Sequence, residues 1–491
     1  MTLNCLGGEC RQYCQVLDGL TKDQNNIDAC EWPERISDRY EFDQTTNPEL
    51  AQQVGSRLTR VLTTGNLIQD LLNEPGGELS TAFQANSAVL EAQLSLWNSY
   101  AGAAKDGRVI TDVEVDYYTE RLQTAIEGAQ TTMKQAGVSP ETATHAQAIH
   151  DRRTLEDYGL LFDEPMLRTT TQLCVNASSG RSSLVIGDKG IAKTQVAKFV
   201  SGLFAPDGRP RFISGDGNMM KDEFIGKMTL SEKNGATVTT FHYGILTECM
   251  ELGIPFVMDE INLIDPAIVM RLQDILLRKP GDTIFIQEDG GKPITIKPGF
   301  CVIATANEAS ARYQHRAELD PAFRDRFTIL PIEYPDGDTV MLRTDELPTS
   351  LARLAYAFAV SRNGIASNHV TARDALWLAS IAHASQQMYS RPAKDVNMGA
   401  LGTRLTDVVD DTEPRMSDCI TPRRMVEILL AVDSGLNPYD VAAGVRGLTL
   451  KTIAGMKRSD DRKNMFAVIH LMHDNPNVRF DAAAVSKQLR I

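Results

Sequence analysis

The sequence predicts an α/β domain built around a parallel sheet, preceded by a small, mainly helical N-terminal domain and followed by an α-helical region. Three observations carry this reading. From about residue 156 to 336, short apolar runs at 183–186, 211–214, 254–258, 300–305 and 327–332 alternate with helical stretches. Such alternation favours parallel strands with helices packed on the sheet. One run enters a glycine-containing turn that opens directly into a helical pattern, and two others end in acidic or amide side chains. After about Pro335 the strand-like runs stop, and 351–360, 372–383, 423–432 and 438–445 read as helices.

Taken in order, the first third (1–150) is acidic. It carries 10 Lys and Arg against 21 Asp and Glu, most of the net charge of −14 of the whole chain. An excess of carboxylates repels phosphate backbones, which disfavours nucleic acid as a partner. Residues 1–48 are polar and irregular, and 49–73, 80–103 and 112–136 read as amphipathic helices. Between the last two, Lys105-Asp106-Gly107-Arg108 offers too few carboxylates for a calcium loop and reads as a turn. Four of the eight cysteines (Cys5, Cys10, Cys14 and Cys30) lie here, without the paired spacing of a zinc ribbon. Cys174, Cys249, Cys301 and Cys419 sit in apolar contexts and read as small core residues. An apolar fraction of 42% and a charged fraction of 23% are ordinary for a globular chain. No run approaches the ~18 apolar residues of a membrane span, and Met1 to Leu20 lacks the apolar core of a signal peptide. A cytoplasmic protein of 491 residues in three domains (1–150, 156–336 and 337–491), not attached to a membrane, is therefore expected.

Four segments carry chemistry. Gly187-Asp188-Lys189-Gly190-Ile191-Ala192-Lys193-Thr194 stands between a strand and a helix, the context in which backbone N–H groups cradle phosphates. Lys193 would reach the terminal phosphates and Thr194 would offer its hydroxyl to Mg²⁺; Ala192 replaces the usual Gly before the Lys. Pro255-Phe256-Val257-Met258-Asp259-Glu260 is an apolar strand whose tip offers one acid for the metal shell and one to polarise water. Phe300-Cys301-Val302-Ile303-Ala304-Thr305-Ala306-Asn307 ends in an amide able to orient that water without adding charge. Glu318-Leu319-Asp320-Pro321-Ala322-Phe323-Arg324-Asp325-Arg326-Phe327 is a short helix leading to Arg326, suited to stabilise charge on a transferring phosphoryl group.

In this order the segments resemble the AAA+ ATPases, specifically the MoxR/dynein-related branch with its CbbQ/NorQ-like members, in which Ala before the P-loop Lys is common. The resemblance covers about 160–450. It implies a P-loop AAA+ fold with a helical lid, ATP and Mg²⁺ as ligands, and Gly187 to Thr194 with Gln195 at the nucleotide. It further implies Thr194 and Asp259 at the metal, and Glu260, Asn307 and Arg326 in hydrolysis, Arg326 acting as a finger between subunits. Arg423 resembles the sensor-2 residue of the lid, with Arg373 as the other candidate. Two segments around Lys233-Asn234-Gly235 and Glu288-Asp289-Gly290-Gly291 resemble the hairpin insertions that face the pore of such rings. The function implied is a homo-oligomeric ring, a hexamer, that hydrolyses ATP to remodel or activate a protein partner in chaperone-like fashion, the partner carrying a von Willebrand factor A-type domain. A metal chelatase motor like CobS, or a nucleotide-gated assembly protein with little turnover, are the alternatives.

Overall fold

The computed structural model describes residues 76–215, 221–233, 236–264, 273–307, 319–334, 349–390 and 416–474, together with Leu72 and Glu74. The expected helix at 49–73, its Leu72 apart, and the four N-terminal cysteines lie outside them. The chain divides into two compact units, each made of discontinuous segments: 89–125 with 158–334, and 1–88 with 126–157 and 335–491. Residues 78–157 are thus shared between the two units.

The first unit is the α/β one. Its five-stranded sheet runs β2–β5–β8–β1–β9, with β1 Ser183–Gly187, β2 Arg211–Ser214, β5 Phe256–Asp259, β8 Val302–Ala306 and β9 Thr328–Ile332. All pairings are parallel. β1 and β8 are buried along their whole length, which explains their near-continuous apolar sequences. The register pairs Ile186 with Ala306, Met258 with Ala304 and Ser214 with Asp259, so the polar strand tips finish along one edge. In an open parallel sheet that C-terminal edge is where ligands are held.

Helix α4 (Glu164–Ser178), the fourth helix after α1 (Glu78–Lys105), α2 (Asp112–Gln135) and α3 (Pro140–Tyr158), leads into β1. Asp163 caps it by accepting from Met166 N at 3.0 Å, and Asn176 Nδ2 donates to Ser183 Oγ at 2.8 Å. The second half of α1 belongs to this unit: Trp97 is fully buried, its indole N–H donating to Thr171 Oγ1 at 2.9 Å. Its ring packs 5.3 Å from Phe162 and 5.6 Å from Phe199. After Lys105 the chain reverses through Gly107 at φ 72°, with Arg108 N reaching Ala103 O at 3.0 Å and Gly107 N reaching Ala104 O at 2.9 Å. This paired C-terminal cap is the turn expected there.

Two antiparallel hairpins project from the unit, β3 (Gly226–Lys233) with β4 (Ala236–Tyr243), and β6 (Thr283–Ile286) with β7 (Lys292–Thr295). Both occur where the sequence places insertions. The remaining helices here are α5 (Lys193–Phe204), α6 (Lys221–Phe224), α7 (Ile245–Leu252) and α8 (Pro321–Arg324).

The second unit is helical. It includes α3, α9 (Thr349–Ala357), α10 (Ala372–Ser390), α11 (Pro422–Asp433), α12 (Pro438–Ala454) and α13 (Ser459–Asp474). α10 is its axis, buried from Ala375 to Tyr389. α12 breaks at Gly444, whose φ of 63° is left-handed, which ends the helical periodicity near Val445. α3 was not evident from periodicity, because its buried face is polar: Thr142, Thr144, His145, His150, Asp151 and Arg152 are all buried. Two of those groups are held by oppositely charged partners. Arg353 clasps the Asp151 carboxylate with two donors, and Arg152 Nη2 donates to Asp433 Oδ2 at 2.8 Å. Burial alone would raise the Asp151 pKa, but the Arg353 charge and hydrogen bonds bring it below the usual value.

His145 gives this unit a measurable acid sensitivity. Burial lowers its pKa from 6.5 to about 4, against a hydrogen bond donated to the Gly364 backbone carbonyl, which works the other way. A folded-state pKa below the unfolded one means the unfolded chain binds the proton more readily. Stability is therefore complete above pH 6.5 and lost as pH falls toward about 4, by an amount on the order of 3 kcal/mol. Urea-unfolding midpoints against pH should show this slope, and His145→Gln should flatten it.

No helix among the described residues is long and apolar enough to cross a membrane. Cys174, Cys249, Cys301 and Cys419 are buried, and burial pushes the thiols of the first three well up, as befits inert core residues.

Candidate nucleotide site

The site begins where β1 stops. Gly187 passes so close to β9 that a Cβ there would lie 2.0 Å from Ile332 O, a position no other residue could fill without moving a strand. Gly190 turns the chain at φ 75°, and Ala192 follows at φ 64° and ψ 20° before α5 starts at Lys193. A left-handed conformation costs a residue with a Cβ about 1–2 kcal/mol, so Ala192 adopts the shape that Gly would take freely. The first amides of α5 have no partner within the helix, and they face the turn with the positive end of the helix dipole. Tyr334 Oη donates to Lys189 O at 2.6 Å and secures the outside of the turn.

Lys193 is buried, an environment that an ammonium group tolerates only with its protons engaged. Its Nζ donates to Gly187 O at 2.9 Å, to Asp188 O, and to Asn307 Oδ1 at 2.8 Å. Because an ammonium can only donate, the oxygen of the Asn307 amide must face Lys193. The Asn307 Nδ2 then faces Glu260, donating to Oε1 at 3.3 Å. Glu260 is thereby oriented by a neutral group, which adds no charge beside its carboxylate.

Asp259 receives two hydroxyls on one oxygen. Thr194 Oγ1 lies 2.5 Å and Thr305 Oγ1 2.6 Å from Oδ1, and the carboxylate can only accept, so both hydroxyls donate. The lone pairs of Thr194 Oγ1 remain for a cation. Among the described residues no group of three or more His, Cys, Asp or Glu forms a cage for a metal ion. A hydroxyl beside one carboxylate is the smaller donor set that suits Mg²⁺, which takes most of its ligands from water and phosphate oxygens. The turn between the acids is packed tightly: Gly215 N donates to Asp259 O at 2.7 Å, and a Cβ on Gly215 would lie 2.4 Å from Glu260 O.

The structure thus joins Lys193, Thr194, Asp259, Glu260 and Asn307 in one hydrogen-bonded set, drawn from sequence positions up to 114 residues apart. Arg326 is not bonded to that set; its Nη1 donates to Gln273 O at 2.6 Å. It follows α8, whose cap Asp320 accepts from Phe323 N at 3.1 Å, and its neighbours Phe323 and Phe327 are buried with ring centroids 5.3 Å apart. Gln195 Nε2 donates to Tyr158 O at 3.2 Å. Arg423 is exposed in the first turn of α11, and Arg373 is exposed in the first turn of α10, both in the helical unit.

Comparison with known proteins agrees with this architecture. Residues 182–327 match the family model of the AAA domain, dynein-related subfamily. This segment is an AAA domain. It spans β1 to the start of β9 and so contains every member of the hydrogen-bonded set. Outside the family model, an uncharacterized protein of Bacillus subtilis, YojN, is 28% identical over 37% of this chain and 55% of its own length. The aerobic cobaltochelatase subunit CobS of a Sinorhizobium species is 26% identical over 35% of this chain and 52% of its own. Midasin of Giardia intestinalis is 22% identical over 34% of this chain and 4% of its own. The chain therefore spans about half the length of the first and second of these relatives. Among solved structures, NtrX from Brucella abortus in complex with ADP is similar at 13% identity over 77% of this chain and 76% of that one, with a TM-score of 0.29.

Three residues near the AAA site escaped the sequence reading. Thr305 was detectable as the one hydroxyl inside an otherwise apolar, fully buried strand. Gly215 and Tyr334 carry no such signal, because their roles come from contacts across the fold.

Proposed function

We propose that the AAA domain hydrolyses ATP with Mg²⁺ in a homo-oligomeric ring, a hexamer, and uses the resulting motion to remodel or activate a protein partner. The observation that carries this reading is the Lys193–Asn307–Glu260 connection, which ties a phosphate-binding cation to a water-polarising carboxylate through one amide. A domain that only bound nucleotide would need the lysine and the glycine turn, but not an oriented carboxylate beside them. In this reading the turn from Gly187 to Thr194, with Gln195 behind it, holds the phosphates. Lys193 places positive charge against them, Glu260 takes a proton from the attacking water, and Asn307 holds that carboxylate in place. Thr194 and Asp259 would hold Mg²⁺, which neutralises phosphate charge when bound. Arg326 acts on a neighbouring subunit's nucleotide, and Arg423 answers to nucleotide from the lid.

The partner is proposed to be a protein with a von Willebrand factor A-type domain. The similarity to CobS supports one second reading, a motor subunit of a metal chelatase. Phosphate release from the purified chain with ATP and with GTP, alongside mass determination with and without nucleotide, tests the proposal. Turnover together with nucleotide-dependent rings is the expected result. A folded protein that binds nucleotide without releasing phosphate, alone or with partner, would overturn hydrolysis in favour of nucleotide-gated assembly.

A further inference from the structure

We infer that Thr305 is a positioning residue that sets the geometry of both acids at once. The inference rests on the hydrolytic reading above and adds a residue to it. The logic follows from proton counting. Asp259, as a carboxylate, can only accept, so the hydroxyl proton of Thr305, 2.6 Å from Oδ1, is committed to it. The backbone N–H of Glu260 can only donate, so at 3.0 Å it occupies a lone pair of the same hydroxyl. One side chain, 1% exposed, therefore ties the carboxylate of Asp259 to the backbone of Glu260.

That tie has a definite task. Glu260 sits at φ 51° and ψ 52°, a left-handed conformation unfavourable for a residue with a Cβ. Such a conformation persists only where its surroundings impose it. The Glu260 N–H bond to Thr305 is one restraint; the Leu263 N–H bond to the Glu260 carbonyl at 2.9 Å and the close pass of Gly215 over that carbonyl add to it. The left-handed turn directs the Glu260 side chain to Asn307 instead of along the strand. The second consequence concerns the metal. Thr194 and Thr305 share Oδ1 of Asp259, and among the described residues no hydrogen bond is recorded to Oδ2. Thr305 therefore fixes which carboxylate oxygen carries both hydroxyls and which is left to accept from elsewhere. β8 lies between β1 and β5, and its register with both puts residue 305 beside the P-loop strand and the acidic strand together.

The test compares Thr305→Val, which keeps the shape and removes the hydroxyl, with Thr305→Ser, which keeps the hydroxyl. Two readouts are followed against Mg²⁺ concentration: phosphate release from ATP, and binding of a fluorescent ATP analogue. For Thr305→Val, kcat should fall and the half-saturating Mg²⁺ concentration should rise, each by about 10–100-fold, the usual effect of losing a support behind a metal ligand. Analogue binding without divalent cation should stay within about 3-fold of wild type, since Lys193 and the glycine turn are untouched. Thr305→Ser should restore both readouts. If Thr305→Val does not fold, Thr305→Ala takes its place against Thr305→Ser. Wild-type Mg²⁺ dependence and kcat in the hydroxyl-free variant would overturn the inference, as would an equal loss in Thr305→Ser. A wild type that binds Mg²⁺ and nucleotide without turnover would defeat the hydrolytic reading alone, because the Mg²⁺ dependence of binding still reports on Thr305.

Discussion

Arg326→Ala is expected to lower ATP turnover by about 10³–10⁵-fold while leaving each subunit's own nucleotide affinity near wild type. The size follows from the role: a guanidinium placed on the transferring phosphoryl group acts mainly in the transition state, so its loss appears in kcat. The position is consistent with a task outside its own subunit. Arg326 is not bonded to the Lys193–Asn307–Glu260 set and is steadied through Gln273 O and the buried Phe323–Phe327 pair flanking it. Action in trans makes a sharper expectation than the loss alone. Mixed with Glu260→Gln subunits, Arg326→Ala subunits should regain part of the activity, because each mutant supplies what the other lacks. Retained turnover in Arg326→Ala would remove the finger role and reduce Arg326 to an anchor of the loop at Gln273. Loss of nucleotide binding together with turnover would point to a role within its own subunit.

Glu260→Gln should reduce turnover by about 10²–10⁴-fold, the range for removing a positioned general base. Nucleotide should still bind, since the substitution leaves the phosphate-holding turn intact. The geometry adds a detail that distinguishes this variant from one that merely disturbs the site. The amide of Gln keeps an oxygen that can accept from Asn307 Nδ2, where Glu260 Oε1 now accepts at 3.3 Å, so the Lys193–Asn307 bond should survive. Trapped nucleotide and persistent rings are therefore expected from Glu260→Gln. Undiminished phosphate release would end the assignment of Glu260, and loss of binding would show that the carboxylate holds the turn together instead of activating water.

Much of the site was legible in the chain because its parts are local. A phosphate-binding turn needs a strand, glycine at fixed offsets and a helix start, all within about a dozen residues, and Gly187 to Thr194 meets these conditions with Ala192 in place of one glycine. The acids and the amide were legible for a related reason: apolar strands buried on both faces end abruptly, and a polar residue at such a tip stands out. The hairpins were signalled in the sequence by the turn-forming pairs Asn234-Gly235 and Gly290-Gly291. Helix α3 was not legible, because pairing buries its polar side chains where periodicity looks for apolar ones. Asp151 and Arg353 meet over 202 positions of sequence, a separation no local pattern reports.

By itself, then, the sequence determined the kinds of element, their order and the residue types brought to the edge of the sheet. Only the tertiary structure decided how those residues are wired. That Asn307 turns its oxygen to Lys193 and its nitrogen to Glu260, and that Thr305 serves both acids, depends on the strand order β2–β5–β8–β1–β9. The physical reason is that hydrogen bonds are directional over about 3 Å, whereas apolar patterning specifies burial without specifying which strand lies beside which. Placing β8 between β1 and β5 turned three separate motifs into one connected site.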